Sequence, residues 1–594
     1  MTRAEANASA GVDRAGAGLR RAAVGRVARE TAEGVWFGDQ QRPALGWLSR
    51  PPAGTSASGV LIAPPVGYPY WGSHRTLRVL AQQLAASGHV VLRIDYDGTG
   101  DSAGDQWEPG RLAAWRRTVA DGAALLREAG ATRLTLAGAR LGATIALSDG
   151  RALGADAVVA WMPVVSGRRY AKELLLLSRA VPADHDPLDP PGTRVVAGNV
   201  FSAQTVAELR GIGIEQIREP PADRVLVLDD LAGACAEAVA HLRAIGTDVS
   251  HVQLAGGELA LEQAPEYATV PMEHVSAVVD WLPKPGTAAT GAGAAPLGRP
   301  AATMRWRGTE IEERVVTLKP DGHVAIVTSP VRPVPGAATL VALNPGSETH
   351  VGPGRAWVEL ARELALAGRR TVRVDFLGWG ESPDAGRAPG RPYDQACVAD
   401  TVSILGELGE AGYGPLVPFG LCASAWIALR AVLEAPVAGV IALNPQLYWK
   451  PGDLVEIDWD LIRADRAREI VRIERGARIG AWTVLDVLGH RPRAARWLTR
   501  LARTGVPVHL LFSEGDDGLK FLRERLGRRL AHLCRPGSLT VAELPEIDHP
   551  MHLSWLRGRV VRAVSDALEE IDRGAASAPA RGDVRRSIAV RSFS

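Results

Sequence analysis

The chain has no excess of charge of either sign, no paired cysteines and no long apolar run. Its 68 Lys and Arg stand against 66 Asp and Glu, a formal charge of +2. A balance that even gives no long-range field to draw in nucleic acid or a membrane surface. The four cysteines, at 235, 397, 422 and 534, form no CxxC pair and no metal-ligand spacing. No metal site is expected, and reduced, cytoplasmic thiols are the simplest reading. No stretch of about 18 apolar residues exists, so no membrane span is expected. Met1 to Glu30 is rich in Ala, Gly and Arg and lacks the apolar core of a secretory signal. The turns at 98–100 and 378–380 lack GxGxxG spacing and follow the wrong strand, so no dinucleotide cofactor is expected. What is present is 46% hydrophobic and 23% charged residues over 594 positions, enough for two domains with ample cores.

The chain repeats itself. Asp95-Tyr96-Asp97-Gly98-Thr99-Gly100-Asp101-Ser102 matches Asp375-Phe376-Leu377-Gly378-Trp379-Gly380-Glu381-Ser382, 280 residues on. Upstream, the apolar run Gly59 to Pro65 corresponds to Thr339 to Pro345. Each is followed by an amphipathic helix, about Arg75–Ser87 and Ala356–Ala367, and then by a second apolar run, Val90–Ile94 or Thr371–Val374. Strands alternating with helices predict an α/β fold, each copy a mostly parallel sheet covered on both faces. The first domain is placed at 24–283, its sheet opening with a hairpin-like pair at Gly34–Phe37 and Ala44–Leu48. Residues 284–303, Ala-, Gly- and Pro-rich, read as a flexible linker. The second domain is placed at 304–573, restarting with Glu312–Val316 and Val324–Val327. Segments 1–23 and 574–594 read as disordered. The two domains are expected to pack against each other.

One segment carries chemistry. Leu416-Val417-Pro418-Phe419 runs into Gly420-Leu421-Cys422-Ala423-Ser424 and then a helical stretch from Ala425. A strand that turns through small residues into a helix holds the residue between them strained and points its side chain outward, the nucleophile elbow of α/β-hydrolases. Here that residue is Cys422. The first copy has the same turn at Gly138-Ala139-Arg140-Leu141-Gly142, with an arginine that cannot attack a carbonyl.

A nucleophile needs a base, and the base an orienting acid, in the chain order nucleophile, acid, histidine. Val506 to Ser513 reads as a strand ending at Glu514-Gly515-Asp516-Asp517. Asp516 follows the turn glycine and is the chosen acid, with Asp517 as fallback. A last strand, Leu539 to Leu544, leads to Asp548-His549-Pro550-Met551-His552 before the closing helix, Trp555–Ile571. His549 is preferred over His552 as base. The oxyanion would take one backbone N–H from Ala423 and one from the loop Asn344-Pro345-Gly346-Ser347; Pro345 has none, leaving Gly346 or Ser347. Cys235, Cys397 and Cys534 lack such company and read as structural.

These stretches make both halves resemble the α/β-hydrolase superfamily, apart from tails and linker. The second domain is similar to serine aminopeptidase-like hydrolases of the exosortase A-associated type. The resemblance lies in Asn344-Pro345-Gly346, Gly352-Pro353-Gly354-Arg355-Ala356-Trp357-Val358, the Gly420 to Ser424 elbow, Phe512 to Asp516 and Asp548-His549; Ala423-Ser424 departs from that group's Ser-Gly. It implies that the insertion at 444–504, with helical patterning at Leu461–Ile473 and Trp482–Ala502, forms a lid. Trp449, Trp459, Trp482 and Trp497 there favour an apolar pocket wall. The first domain resembles companion proteins with an arginine elbow. Its acid position is kept, at Asp229 or Asp230. Its base position is empty, because Gly256 to Glu262 holds no histidine and His274 comes too late.

The expectation is a cysteine hydrolase of esters, thioesters or amides, working through an acyl-enzyme on Cys422 with a small-molecule or carrier-bound acyl substrate. An acyltransferase with the same triad differs only in what enters after acylation. A non-catalytic hydrolase-fold scaffold is the reading from another class. In the first domain Arg140 either holds an anionic group or, the preferred reading, makes a structural ion pair at a degenerate site.

Overall fold

The computed structural model describes residues 32–52, 56–179, 192–265, 267–285, 297–387, 393–447, 493–535 and 537–577. The first half contains β1 (Glu33–Phe37), β2 (Ala44–Ser49), β3 (Ser58–Ala63), β4 (Val90–Ile94), β5 (Arg133–Ala139) and β6 (Ala157–Trp161). A small hairpin, β7 (Arg194–Val196) and β8 (Asn199–Phe201), precedes β9 (Arg224–Asp229) and β10 (Asp248–Gln253). The sheet order is β1-β2-β4-β3-β5-β6-β9-β10, antiparallel through β4 and parallel from there on. The second half contains β11 (Ala301–Trp306), β12 (Thr309–Thr317), β13 (Val324–Pro330), β14 (Thr339–Ala342), β15 (Thr371–Val374), β16 (Leu416–Leu421), β17 (Val440–Leu443), β18 (Val508–Ser513) and β19 (Leu539–Leu544). Its order, β11-β12-β13-β15-β14-β16-β17-β18-β19, repeats the first with one strand added at the edge. The crossing of β14 and β15, like that of β3 and β4, puts the strand before the Asn344–Ser347 loop, or its counterpart in the first half, beside the elbow strand. This is the α/β-hydrolase fold, twice.

The central strands are apolar on both faces because helices cover both. In β3, Leu61 and Ala63 enter one core while Val60 and Ile62 enter the other. In β14, Val341 and Leu340 divide the same way. Each fully buried aliphatic side chain contributes roughly 1.5–3 kcal/mol.

Two boundaries move. The stretch read as linker to residue 303 already contains β11 from Ala301, whose Ala302, Met304 and Trp306 point inward in alternation. Arg299 and Trp36 exchange backbone hydrogen bonds at 2.8 and 2.9 Å, tying this strand's approach to β1. Small residues concealed a period-2 pattern that Met304 and Trp306 carry. The closing helix is Arg557–Ser577, so it runs past Gly574 into the stretch read as tail. Of the insertion, helix Arg493–Ala502 is described, with Trp497 half-buried; 461–473, 482–492, Trp449, Trp459 and Trp482 lie outside the described residues. So do 1–23, most of the linker and 578–594. No described helix is long and apolar enough to cross a membrane.

Candidate active site

Cys422 follows the last residue of β16 and precedes the helix Ala423–Ala431, with φ 57° and ψ −108°. A positive φ in a non-glycine residue costs about 1–3 kcal/mol and persists only where its surroundings enforce it. They do so from several sides. The Cys422 N–H donates to Leu443 O at 2.9 Å, and Ser424 Oγ accepts from Leu421 N at 3.0 Å. A Cβ added at Gly420 would lie 2.3 Å from the Ser424 carbonyl carbon, so strand and helix leave room there for hydrogen alone.

Asp516 stands at the head of the helix Asp517–Leu526 and divides its two oxygens. Oδ1 accepts from Gly518 N at 2.7 Å, capping the helix, while Oδ2 meets His549 Nδ1 at 2.6 Å. The fallback, Asp517, is about half exposed and pairs with Lys520. Cys422 is the other group that acts on the His549 imidazole, raising its pKa alongside Asp516. His552 instead gives its backbone N–H to Asp548 at 2.8 Å. The loop carrying His549 is held by Asn444, whose Nδ2 donates to His549 O at 3.1 Å and to Ser513 Oγ at 2.8 Å. Asn444 itself sits at φ 50°, fully buried at the end of β17.

The electrostatics distinguish Cys422 from the other thiols. Burial pushes its thiol up, but the His549 hydrogen bond and charge, with hydrogen bonds from Tyr393 and the Ala423 N–H, bring it below the ordinary thiol value. Burial pushes Cys397 up to about 12 and also raises Cys235 and Cys534. Burial lowers His549, yet its bonds to Asp516 and Cys422 prevail and lift it to about 10. The two shifts act in the same sense, each favouring a thiolate–imidazolium pair over the neutral one.

Tyr393 was not foreseen. Its hydroxyl lies 3.5 Å from Cys422 Sγ and 3.4 Å from Gln446 Oε1, and its ring stands edge-on to Trp426 at 5.6 Å. It precedes the helix Gln395–Glu410 in a loop without periodicity, and no local signal marks it. Gly346, at φ 55°, and Ser347 lie in the loop after β14, next to the elbow strand.

The first domain repeats the backbone without the chemistry. Arg140 occupies the elbow at φ 51° and ψ −119°, and its guanidinium pairs with Glu173 at 3.1 Å and Glu262 at 3.6 Å. Asp229, buried, accepts from Cys235 N at 3.0 Å and meets His251 Nε2 at 3.1 Å. That histidine was missed because it lies within β10 rather than in the loop after it. Asp230 bonds its neighbour's backbone, Gly233 N, at 2.9 Å. His274 is buried and stacked on Trp161 at 5.1 Å. Where the second domain has Asn444, the first has Met162 at φ 44°, which holds no partner loop by a side-chain amide. Among the described residues no group of three or more His, Cys, Asp or Glu could hold a metal.

No protein-family model and no curated protein sequence matches the chain. Solved structures similar to it include Est1E from Butyrivibrio proteoclasticus with ferulic acid bound, at 18% identity and TM-score 0.31, covering 41% of this chain and 99% of that one. An esterase from Pyrococcus furiosus is similar at 14% identity and TM-score 0.33, covering 43% and 90%. A dienelactone hydrolase from Anabaena variabilis is similar at 14% identity and TM-score 0.30, covering 44% and 97%. At such values no activity passes from these proteins to this chain, and the fold stands on the strand order and the two elbows.

Proposed function

We propose that the second domain is a cysteine-dependent hydrolase of ester, thioester or amide bonds, acting on a small-molecule or carrier-bound acyl group. The observation that carries this reading is the 2.6 Å hydrogen bond between buried Asp516 and His549, with that imidazole and the Cys422 thiol at the elbow each shifting the other's protonation. The Cys422 thiolate attacks the acyl carbon, a C–S bond forms, and the carbonyl electron pair moves onto oxygen. Ala423 N–H and a donor from Gly346 or Ser347 receive that oxyanion. The oxyanion collapses as His549 gives its proton to the leaving group, and the bond to that group breaks. A water then gives its proton to His549 and cleaves the thioester. If an alcohol, amine or thiol enters instead, the same site is an acyltransferase. Asp516 keeps the His549 ring oriented and stabilises its charge. The first domain, with Arg140 where a nucleophile is needed, carries no acyl chemistry.

The test is intact-mass measurement after incubation with aryl esters and activated thioesters. An acyl adduct on Cys422, absent in Cys422→Ala, is expected, and its lifetime distinguishes hydrolase from transferase. A thiol that takes small alkylators but no acyl donor would leave the scaffold reading standing.

A further inference from the structure

The loop between Asn344 and His350 carries the second oxyanion donor proposed above, and its position is fixed by a chain of buried polar groups. Asp375, fully buried, accepts from Asn344 Nδ2 at 2.7 Å and from the His350 backbone N–H at 2.8 Å through Oδ1. Asn344 closes the turn by donating to Glu348 O at 3.0 Å. The other oxygen of Asp375 meets His350 Nδ1 at 2.6 Å. The far nitrogen of the same ring, Nε2, meets Asp101 Oδ2 at 2.7 Å, and Asp101 belongs to the first domain. With a carboxylate on each nitrogen, His350 donates from both and is an imidazolium. Burial opposes that charge, but Asp375 and Asp101 lift its pKa to about 10.

Asp101 is a rigid anchor. Its backbone N–H donates to Asp95 Oδ2 at 3.1 Å, its carbonyl accepts from Arg362 Nη2 at 2.6 Å, and its Oδ1 is paired with Arg373. Trp47 of the first domain stands edge-on to the His350 ring at 6.3 Å.

We propose that Asp101 is a positioning residue for the second domain's oxyanion loop, so that the domain without a nucleophile completes the site of the domain that has one. The proposal rests on the hydrolase reading of Cys422. It gives the first domain a task that needs neither Arg140 nor an open pocket. Asp101 touches no reacting atom; it acts through His350 and the turn 345–348.

The chain supplies its own control. Glu381 is the counterpart of Asp101 in the repeat, and it reaches back to the first domain, meeting His74 at 2.8 Å and Arg93 at 2.5 and 3.0 Å. It is equally buried and equally charged, but the half it reaches into has no nucleophile.

The test compares Asp101→Asn with Glu381→Gln in the full chain by three measurements. These are the single-turnover rate of Cys422 acylation by an aryl ester, the rate of its alkylation by iodoacetamide, and hydrogen exchange of the peptide covering 344–351. Alkylation is a displacement at saturated carbon and uses no oxyanion hole. A lost oxyanion donor costs on the order of a hundredfold, and a loosened one part of that. Asp101→Asn is expected to slow acylation about tenfold or more, leave alkylation unchanged and speed exchange at 344–351. Glu381→Gln keeps its backbone bond to Asp375 and is expected to leave acylation and alkylation of the folded protein unchanged, with any faster exchange spread over the chain and not centred on 344–351. Equal losses of acylation in the two variants, or unchanged exchange at 344–351 in Asp101→Asn, would overturn the proposal. Because exchange is read without any acyl donor, a wild-type protein that never acylates would defeat the hydrolase reading while the clamp is still judged by the loop.

Discussion

At the scale of single residues, His549, the Tyr393 hydroxyl and the Ala423 N–H each act to lower the Cys422 thiol, against burial that raises it. These contacts lower the thiol and raise the imidazole, which widens the pH range in which the pair is charged. The pH profile of Cys422 alkylation by iodoacetamide should therefore have its midpoint below the ordinary thiol range, the rate falling as the sulfur takes up a proton. Turnover should decline again as pH passes about 10, where His549 loses the proton the leaving group needs. His549→Ala removes the largest influence holding the thiol down and leaves burial, so the alkylation midpoint moves above the free-thiol value. Tyr393→Phe keeps the ring against Trp426 and deletes the hydroxyl. A hydrogen bond to a charged group contributes about 1.5–3 kcal/mol, so acylation should slow at least about tenfold with little change in melting temperature. Unchanged kinetics would assign that hydroxyl to packing alone. Cys422, Asp516 and His549 were legible in the sequence because each stands at a strand end in a fixed chain order. Tyr393 and His350 were not, since they reach the site from loops whose approach no spacing records.

At the scale of elements, the elbow is legible because its steric demand is compressed into five residues. The strand β16 and its following helix meet so closely that Gly420 has no room for a methyl group. Gly420→Ala forces backbone against backbone and should cost about 1–3 kcal/mol, read by urea unfolding. Because the displaced atoms carry Cys422, the same variant should also lose its fast alkylation, whereas simple destabilisation would leave the folded fraction fully reactive. The hidden element was β11. Its Ala301-Ala302-Thr303 start has the composition of a linker, and only its pairing with β12 and the burial of Met304 and Trp306 declare a strand. Asn444 was equally silent: read as the start of an insertion, it staples the ends of β17 and β18 to the His549 loop.

At the scale of the molecule, the duplication was legible and its consequence was not. The repeat aligns Arg93 with Arg373 and Asp101 with Glu381, but alignment gives correspondence, not contact. Across the chain's two halves the partners cross: Arg373 pairs with Asp101, and Arg93 with Glu381. Such reciprocal exchange is the signature of an isologous interface, here contained in one chain. Arginine guanidinium stems on each side also reach the other's turn carbonyls, Arg78 to Gly380 and Ser382, Arg355 to Gly100. These charges are nearly or wholly withdrawn from water, so the contact is unforgiving of single losses. Arg93→Met leaves the 1% exposed carboxylate of Glu381 with His74 as its one remaining side-chain partner among the described residues. Removing one member of a buried pair costs about 3–5 kcal/mol, whereas replacing both with apolar groups is close to neutral. Urea unfolding of the full chain should accordingly show a large loss in Arg93→Met and recovery of most of it in Arg93→Met with Glu381→Met. If the double variant is no better than the single, the pair does not act as a unit, and the two halves are held instead by the apolar contact of Trp36, Leu45 and Trp47 with Met304, Trp306 and Ile326.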